Sequence, residues 1–333
     1  SDFVKDPMKE HMDSFQSKVV SHGHGNKKSA SASKTAHAKQ KNGVMVLGMH
    51  RSGTSMLSGL LVQGFGYHVG TPLIGAGPAN PKGFFELLPA VLQNDVFMRK
   101  QSVAWSVSVL KYNNTKAIEQ YDTGNVEFKR GKKSLDFLNS EKNVPWLQKD
   151  PRMCITLPTW LHLLNTEPAI VFTYRHPLEV AMSLKKREKN FGLEHALRLW
   201  SAYNMRAIQN SQRLCRVLTS NTAILNNPLQ EVTRIAEELT KTCGVAPPPS
   251  HISPEICKEF VDPELQQQKM KRQEEQRKVI ADYNGCLVYD FDSVYKSGPR
   301  HNKEVDMYKK AMRIYCDLEN GKAFENDYEW PQL

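Results

Sequence analysis

Apolar and polar positions fall along this chain in blocks that predict strands and helices in alternation. Val44, Met45, Val46 and Leu47 form a short apolar run between Gly43 and Gly48, the pattern of a strand buried on both faces. From Thr54 onward Leu57, Leu60 and Leu61 recur at helical spacing until Gly64 and Gly66 interrupt it. Residues 71–85, with Gly75, Gly77, Pro78, Pro81 and Gly83, read as a surface loop, and residues 89–98 as a helix. Residues 101–145 mix apolar pieces with polar turns and predict a helical or irregular insertion. Strands are expected at 146–149 and 169–173 with an apolar helical stretch, 154–164, between them, which makes a parallel βαβ unit. Pro177 suits the first position of a further helix whose inward face is Val180, Ala181 and Leu184. The pattern then predicts a long helix over 193–218, a short strand at 223–225, a helix over 229–242 ending at Gly244, and a linker at Pro247, Pro248 and Pro249. A heavily charged helix over 264–283, an edge strand at 286–289 and an amphipathic helix over 305–318 complete the reading.

Composition narrows the class. The chain has 333 residues, 40% apolar and 24% charged, which excludes a collagen, a coiled coil and a wholly disordered chain. Residues 1–42 carry eight lysines against four acids with little apolar periodicity, so a disordered basic arm accounts for +4 of the net charge of +10. The remaining charge is spread thinly and no groove-binding motif accompanies it, which argues against nucleic acid as a partner. The expected organisation is this arm, a catalytic domain over 43–270, and a mostly helical extension over 271–333 packed on it. No run of about 18 apolar residues occurs, so no transmembrane segment is expected in this chain. The chain as it stands reads as cytoplasmic, with the Golgi lumen as the alternative if an anchor precedes it. Six cysteines at irregular spacing, without a CxxC pair, suggest reduced thiols rather than a zinc site or a disulfide framework. A single glycosylation sequon, Asn113-Asn114-Thr115, is a slight pointer to a secretory compartment.

The chemistry concentrates in Gly48-Met49-His50-Arg51-Ser52-Gly53-Thr54-Ser55, between the first strand and its helix. Glycines five apart let the backbone wrap an anion, and the helix N-terminus adds unpaired N–H groups and a favourable dipole. A nucleotide-hydrolysing loop needs lysine directly after the second glycine, but Thr54 stands there and the cation is Arg51. No strand ends in an aspartate placed for Mg²⁺, since the strand at 169–173 runs into Tyr174 and Arg175. Arg175 at that strand's C-terminal end and Ser183 in the next helix make a second anion site. Two anion sites on neighbouring strands suit a nucleotide with phosphates at both ends of its ribose.

These residues, with Asn80-Pro81-Lys82-Gly83-Phe84-Phe85-Glu86, Lys149-Asp150-Pro151-Arg152 and Arg175-His176-Pro177, occur in an order that resembles the sulfotransferases using 3'-phosphoadenosine-5'-phosphosulfate (PAPS). The resemblance is closest to the bacterial-type and algal-type branch and spans about 44–265, with Asn226-Asn227-Pro228 and Val261-Asp262-Pro263-Glu264-Leu265 also in order. It implies an α/β fold of the P-loop-NTPase-like, three-layer kind, with a central parallel sheet flanked by helices. It implies that Arg51, Ser52, Gly53, Thr54 and Ser55 hold the 5'-phosphosulfate, with His50 beside them at the donor site, and that Arg175 and Ser183 hold the 3'-phosphate, with no metal required. The sulfuryl group would pass in line to a hydroxyl or amine of a small-molecule or carbohydrate acceptor.

Arg51 stands where cytosolic members carry lysine, and its high pKa suits charge stabilisation rather than proton donation. Lys149 matches a lysine at the end of a family strand and is the candidate to share that role. The family histidine that follows it has no counterpart, because Asp150, Pro151 and Arg152 follow here. Glu86 is the favoured base, partly shielded by Phe84 and Phe85, with Asp150, His50 and His176 as alternatives. The catalytic set is therefore Glu86, Lys149 and Arg51. Trp105, Tyr112 and Trp146 are either acceptor-pocket or core residues. An ATP- and Mg²⁺-dependent small-molecule kinase and a non-catalytic nucleotide-binding protein are the competing readings. The acceptor and the oligomeric state are not legible in this sequence.

Overall fold

The fold is built outward from a strand with no solvent-facing side. In the computed structural model, which describes residues 41–77, 82–261, 278–283, 285–295 and 301–333, β1 (Gly43–Leu47) is buried along its whole length. Its side chains alternate between two cores. Val44 and Val46 pack with Leu57, Leu60 and Leu61 on one face, while Met45 and Leu47 join Trp160, Trp200 and Tyr203 on the other. Layers of helices on both faces of a parallel sheet are what such double burial requires.

β1 leads through the glycine loop to α1 (Thr54–Gly59), which runs on into a π-helical turn at Leu60–Gly64. The next helix is α2 (Leu88–Lys100), and the 101–145 insertion resolves into α3 (Asn114–Asp122) and α4 (Lys129–Leu138). Then come β2 (Trp146–Lys149), α5 (Met153–Leu163), β3 (Ala169–Tyr174), α6 (Pro177–Arg187) and α7 (Leu193–Asn210). They are followed by β4 (Arg216–Ser220), α8 (Asn221–Asn226), α9 (Pro228–Lys241) and α10 (Pro254–Phe260). A hairpin of β5 (Val279–Tyr283) and β6 (Cys286–Tyr289), the short α11 (Phe291–Val294) and α12 (His301–Glu319) complete the described chain.

The four-stranded sheet has the order β2-β1-β3-β4, and every pairing is parallel. Four parallel strands end on the same sheet edge, so the residues just beyond them are brought together: Gly48, Asp150, Arg175 and Asn221. The chain reverses its direction of strand addition around β1, and ligands in open α/β sheets bind at such a switch point. The α/β fold with a central parallel sheet flanked by helices is therefore the observed architecture.

Four expectations are corrected. The helix expected over 193–218 stops at Asn210, because residues 216–220 form β4, with Val217 buried against the sheet. The strand expected at 223–225 is helix α8, capped by Ser220 Oγ, which accepts from the Ala223 N–H at 3.1 Å. The apolar triplet Ala223-Ile224-Leu225 is too short to carry a period, and the cap decides it. The charged helix expected over 264–283 is a strand at 279–283, and its residues 264–277 lie outside the described residues.

The fourth correction concerns the cysteines. Cys215 is bonded to Cys243, tying the chain entering β4 to the residues after α9, and Cys286 to Cys316, tying β6 to α12. Their sequence separations are 28 and 30 residues. Loop-closure entropy gives each about 3.6 kcal/mol against the unfolded chain. Irregular spacing hid them because the partners lie on different elements. Cys154 and Cys257 are free and buried.

The expected arm at 1–42 lies outside the described residues except for Lys41 and Asn42. The first described residue is Lys41, whose N–H donates to the Gly244 carbonyl at 2.8 Å. Among the described residues no helix is long and apolar enough to cross a membrane.

Candidate active site

The glycine loop acquires its shape from two positive-φ residues, Arg51 (φ 70°) and Gly53 (φ 85°). Gly53 is needed twice over. A Cβ there would meet Asn221 Nδ2 at 2.3 Å, besides the strained backbone. Gly48 is held as closely, since a Cβ would stand 2.4 Å from the Thr173 carbonyl oxygen. Its N–H donates to Cys154 Sγ at 3.2 Å, and burial pushes that thiol up to about 12, so Cys154 is a packed acceptor. Ser52 and Thr54 are buried in the loop, and Ser52 Oγ has no protein partner. An orphaned buried hydroxyl beside the N–H groups at the start of α1 is a donor arrangement suited to an anion.

Two groups of side chains flank this loop. On the β2 side, Lys149 Nζ donates to Ser55 Oγ at 3.0 Å and to Glu86 Oε1 at 2.6 Å. The pair is almost sealed from solvent, with side-chain exposures of 1% for Lys149 and 8% for Glu86. Burial pushes the Glu86 carboxyl up and the Lys149 ammonium down, each resisted by the other's charge. Glu86 does not cap α2: the cap position is Leu87, with no side-chain cap. Its backbone is instead pinned where the Ile74 N–H donates to the Glu86 carbonyl at 2.8 Å. Of the two phenylalanines expected to shield Glu86, Phe85 is buried and packs toward Phe260, and Phe84 is half-buried.

On the β3 side, Arg51 Nε donates to Ser183 Oγ at 2.9 Å, and Arg175 Nη1 lies 3.5 Å from the Arg51 carbonyl. Arg175 also pairs with Glu179 through Nε at 2.6 Å. Partial burial first, and then the charges of Arg187 and Arg175, lower the Arg51 pKa, so this guanidinium stands half-desolvated with two other cations near it. Such crowding is relieved by an anion. The residues expected at the two ends of one ligand therefore meet through Arg51. Its side chain leans toward Ser183 and Arg175, and Lys149 is the cation placed at Ser55.

His50 lies outside both groups, against Trp105 at 4.8 Å and Tyr203 at 5.5 Å between ring centroids. Burial first, and then the charges of Arg152, Arg187, Lys149 and Arg51, hold its pKa well below the ordinary value. The imidazole is enclosed and held toward its neutral form, and its Nε2 has no protein partner. His176, another base candidate, packs edge-on against Tyr315 at 5.0 Å. Contrary to the expectation that no strand beside the loop ends in an aspartate, Asp150 follows β2 directly, but it is occupied by Asn94 at 2.8 Å and by Arg152, whose N–H and Nη1 each donate to Oδ1 at 3.0 Å. Trp146 and Tyr112 are core residues, while Trp105 is half-buried beside Arg187 at 5.0 Å.

Sequence reasoning missed Asn221 and Arg187. Asn221 follows β4 directly and would have been found as a strand-end polar residue had that strand been placed. Arg187 ends α6 one turn beyond Ser183 and carried no signal apart from that spacing. Asn80 and Pro81 of the loop motif lie outside the described residues. Among the described residues, no three His, Cys, Asp or Glu side chains gather as metal ligands.

No family model matches this chain, and no curated protein matches it. Among solved structures, it is similar to the sulfotransferase domain from the Synechococcus PCC 7002 olefin synthase, at 14% identity and a TM-score of 0.37, over 83% of this chain and 96% of that one.

Proposed function

We propose that the chain is a PAPS-dependent sulfotransferase that moves a sulfuryl group to an acceptor hydroxyl or amine. The observation that carries the reading is the meeting of Lys149 Nζ, Ser55 Oγ and Glu86 Oε1 at the start of α1, beside a loop with an orphaned buried hydroxyl. A cation, a hydroxyl donor and a carboxylate at one point are the parts that an in-line transfer between oxygens needs.

Ser52, Gly53, Thr54 and Ser55 surround the 5'-phosphosulfate with hydroxyls and N–H groups. Arg175, Ser183 and Arg51 receive the 3'-phosphate, which relieves the repulsion within that cluster. In the transfer the acceptor oxygen or nitrogen forms a bond to sulfur while the bond from sulfur to the bridging oxygen breaks. The acceptor's proton passes to the Glu86 carboxylate through Oε2, since Oε1 is held by Lys149. Charge develops on the departing 5'-phosphate oxygen, where Lys149 and the Ser55 hydroxyl stabilise it. Lys149 can also release a proton there, because burial already lowers its pKa. Arg51, at the 3'-phosphate, keeps its proton and acts there through charge alone.

Calorimetric titration with 3'-phosphoadenosine-5'-phosphate, without metal, tests the donor site. A charge-assisted contact is worth about 1.5–3 kcal/mol, so Arg175→Ala should weaken binding roughly 10- to 150-fold. Ser183→Ala should have a smaller effect, and Glu86→Gln should leave binding nearly unchanged while abolishing transfer from PAPS. Tighter binding of ATP with Mg²⁺, or indifference to Arg175→Ala, overturns the reading.

A further inference from the structure

The insertion carries a modification site. We infer that Asn113 is an acceptor for an N-linked glycan and that this chain matures in an oxidising secretory compartment. Three independent observations meet here. Asn113-Asn114-Thr115 has the acceptor pattern, with no proline in the middle. The fold presents it suitably: Asn113 is exposed, while its neighbour Asn114 is buried and anchors the turn through a 3.0 Å bond from Nδ2 to the Ile155 carbonyl. And the chain holds two disulfides, which persist in oxidising compartments and are rare where thiols are kept reduced.

The local geometry leaves the reacting atom available. Asn113 is the N-cap of α3, and its Oδ1 accepts from the Lys116 N–H at 2.9 Å. Its backbone is held by Gln101, which accepts from the Asn113 N–H and donates to its carbonyl, both at 2.9 Å. Oδ1 therefore serves the helix while Nδ2 takes no part in the cap. A sugar attached at Nδ2 keeps the amide oxygen and with it the capping bond. The flanking Lys111, Lys116 and Glu119 are all exposed, so the glycan emerges into solvent.

The donor is a lipid-linked oligosaccharyl pyrophosphate. The bond from the first sugar's C1 to the pyrophosphate oxygen breaks, a bond from C1 to Nδ2 forms, one amide proton is lost to a base, and the lipid pyrophosphate leaves. The inference is independent of the proposed sulfuryl transfer.

The test is secretion of the full chain from a eukaryotic cell, followed by intact mass before and after peptide N-glycosidase. The expected result is a mass excess removed by the glycosidase, leaving aspartate at Asn113. Thr115→Ala and Asn113→Asp should both lack the excess, and the second keeps a capping oxygen, so α3 and the melting curve should be unchanged. Alkylation in denaturant should label two cysteines before reduction and six after it. An unmodified Asn113 in chains with both disulfides formed overturns the glycan. An excess that persists in Thr115→Ala moves it elsewhere and does the same. Six reactive thiols in the secreted protein overturn the compartment.

Discussion

Removing either partner of the Lys149–Glu86 pair should destabilise the protein, with opposite dependence on pH. The two groups are 2.6 Å apart and nearly inaccessible. At an effective dielectric of about 20 their attraction is roughly 6 kcal/mol, offset by the desolvation of both charges. Breaking such a pair from one side costs about 3–5 kcal/mol, because the remaining charge is buried alone. In Glu86→Gln the survivor is an ammonium whose pKa is lowered by burial. The unfolded chain then binds more protons than the folded one below the ordinary lysine value, so stability rises with pH through that window. In Lys149→Met the survivor is a carboxyl whose pKa is raised. The folded chain binds more protons above the ordinary carboxyl value, so stability falls as pH rises through that window. Each slope reaches at most about 1.4 kcal/mol per pH unit. The double variant should lose both slopes and cost less than the sum of the singles. Urea unfolding followed by circular dichroism from pH 5 to 9 measures all four proteins. Additivity within about 0.5 kcal/mol, or slopes of the same sign, would refute the coupled pair.

Two further outcomes follow from the loop. Gly53→Ala should weaken bisphosphate binding at least tenfold in calorimetry, since a non-glycine residue at φ 85° costs about 1–2 kcal/mol and its Cβ meets Asn221. Asn221→Ala in the same chain should restore part of the loss, and wild-type binding by Gly53→Ala alone would show that the loop conformation does not matter. His50 should stay neutral below pH 6.5 while its unfolded counterpart protonates, so stability falls as pH drops from 6.5 toward its lower folded value. His50→Gln should shrink the difference in urea midpoint between pH 7 and 5, and His50 ring resonances, assigned by their loss in that variant, titrating near 6.5 in the folded protein would contradict this.

Much of the core was legible because periodicity reports burial. The double-sided burial of Val44 to Leu47 was written in four consecutive apolar residues, and the βαβ unit in the spacing between strands. β4 was not legible. Its Arg216-Val217-Leu218-Thr219-Ser220 alternates with solvent at one sheet edge, and following directly on an amphipathic helix it reads as further turns of that helix. The site was legible as residues and not as contacts. Glu86 and Lys149 were each singled out, but 63 positions separate them and no pattern announces that one neutralises the other. The same holds for Arg51 and Ser183, 132 positions apart.

Local chemistry set the strand, the glycine loop, the helix that follows it and the proline that opens α6, since each depends on neighbours within a turn or two. Pairing across the sheet edge was decided only by the tertiary structure. Parallel strands place Gly48, Asp150, Arg175 and Asn221 at one end, whatever their separation along the chain. The disulfides and the burial that shifts His50, Lys149 and Glu86 have the same origin. They arise where distant segments exclude water together, and the desolvation of a charge depends on everything packed around it rather than on the residues beside it in sequence.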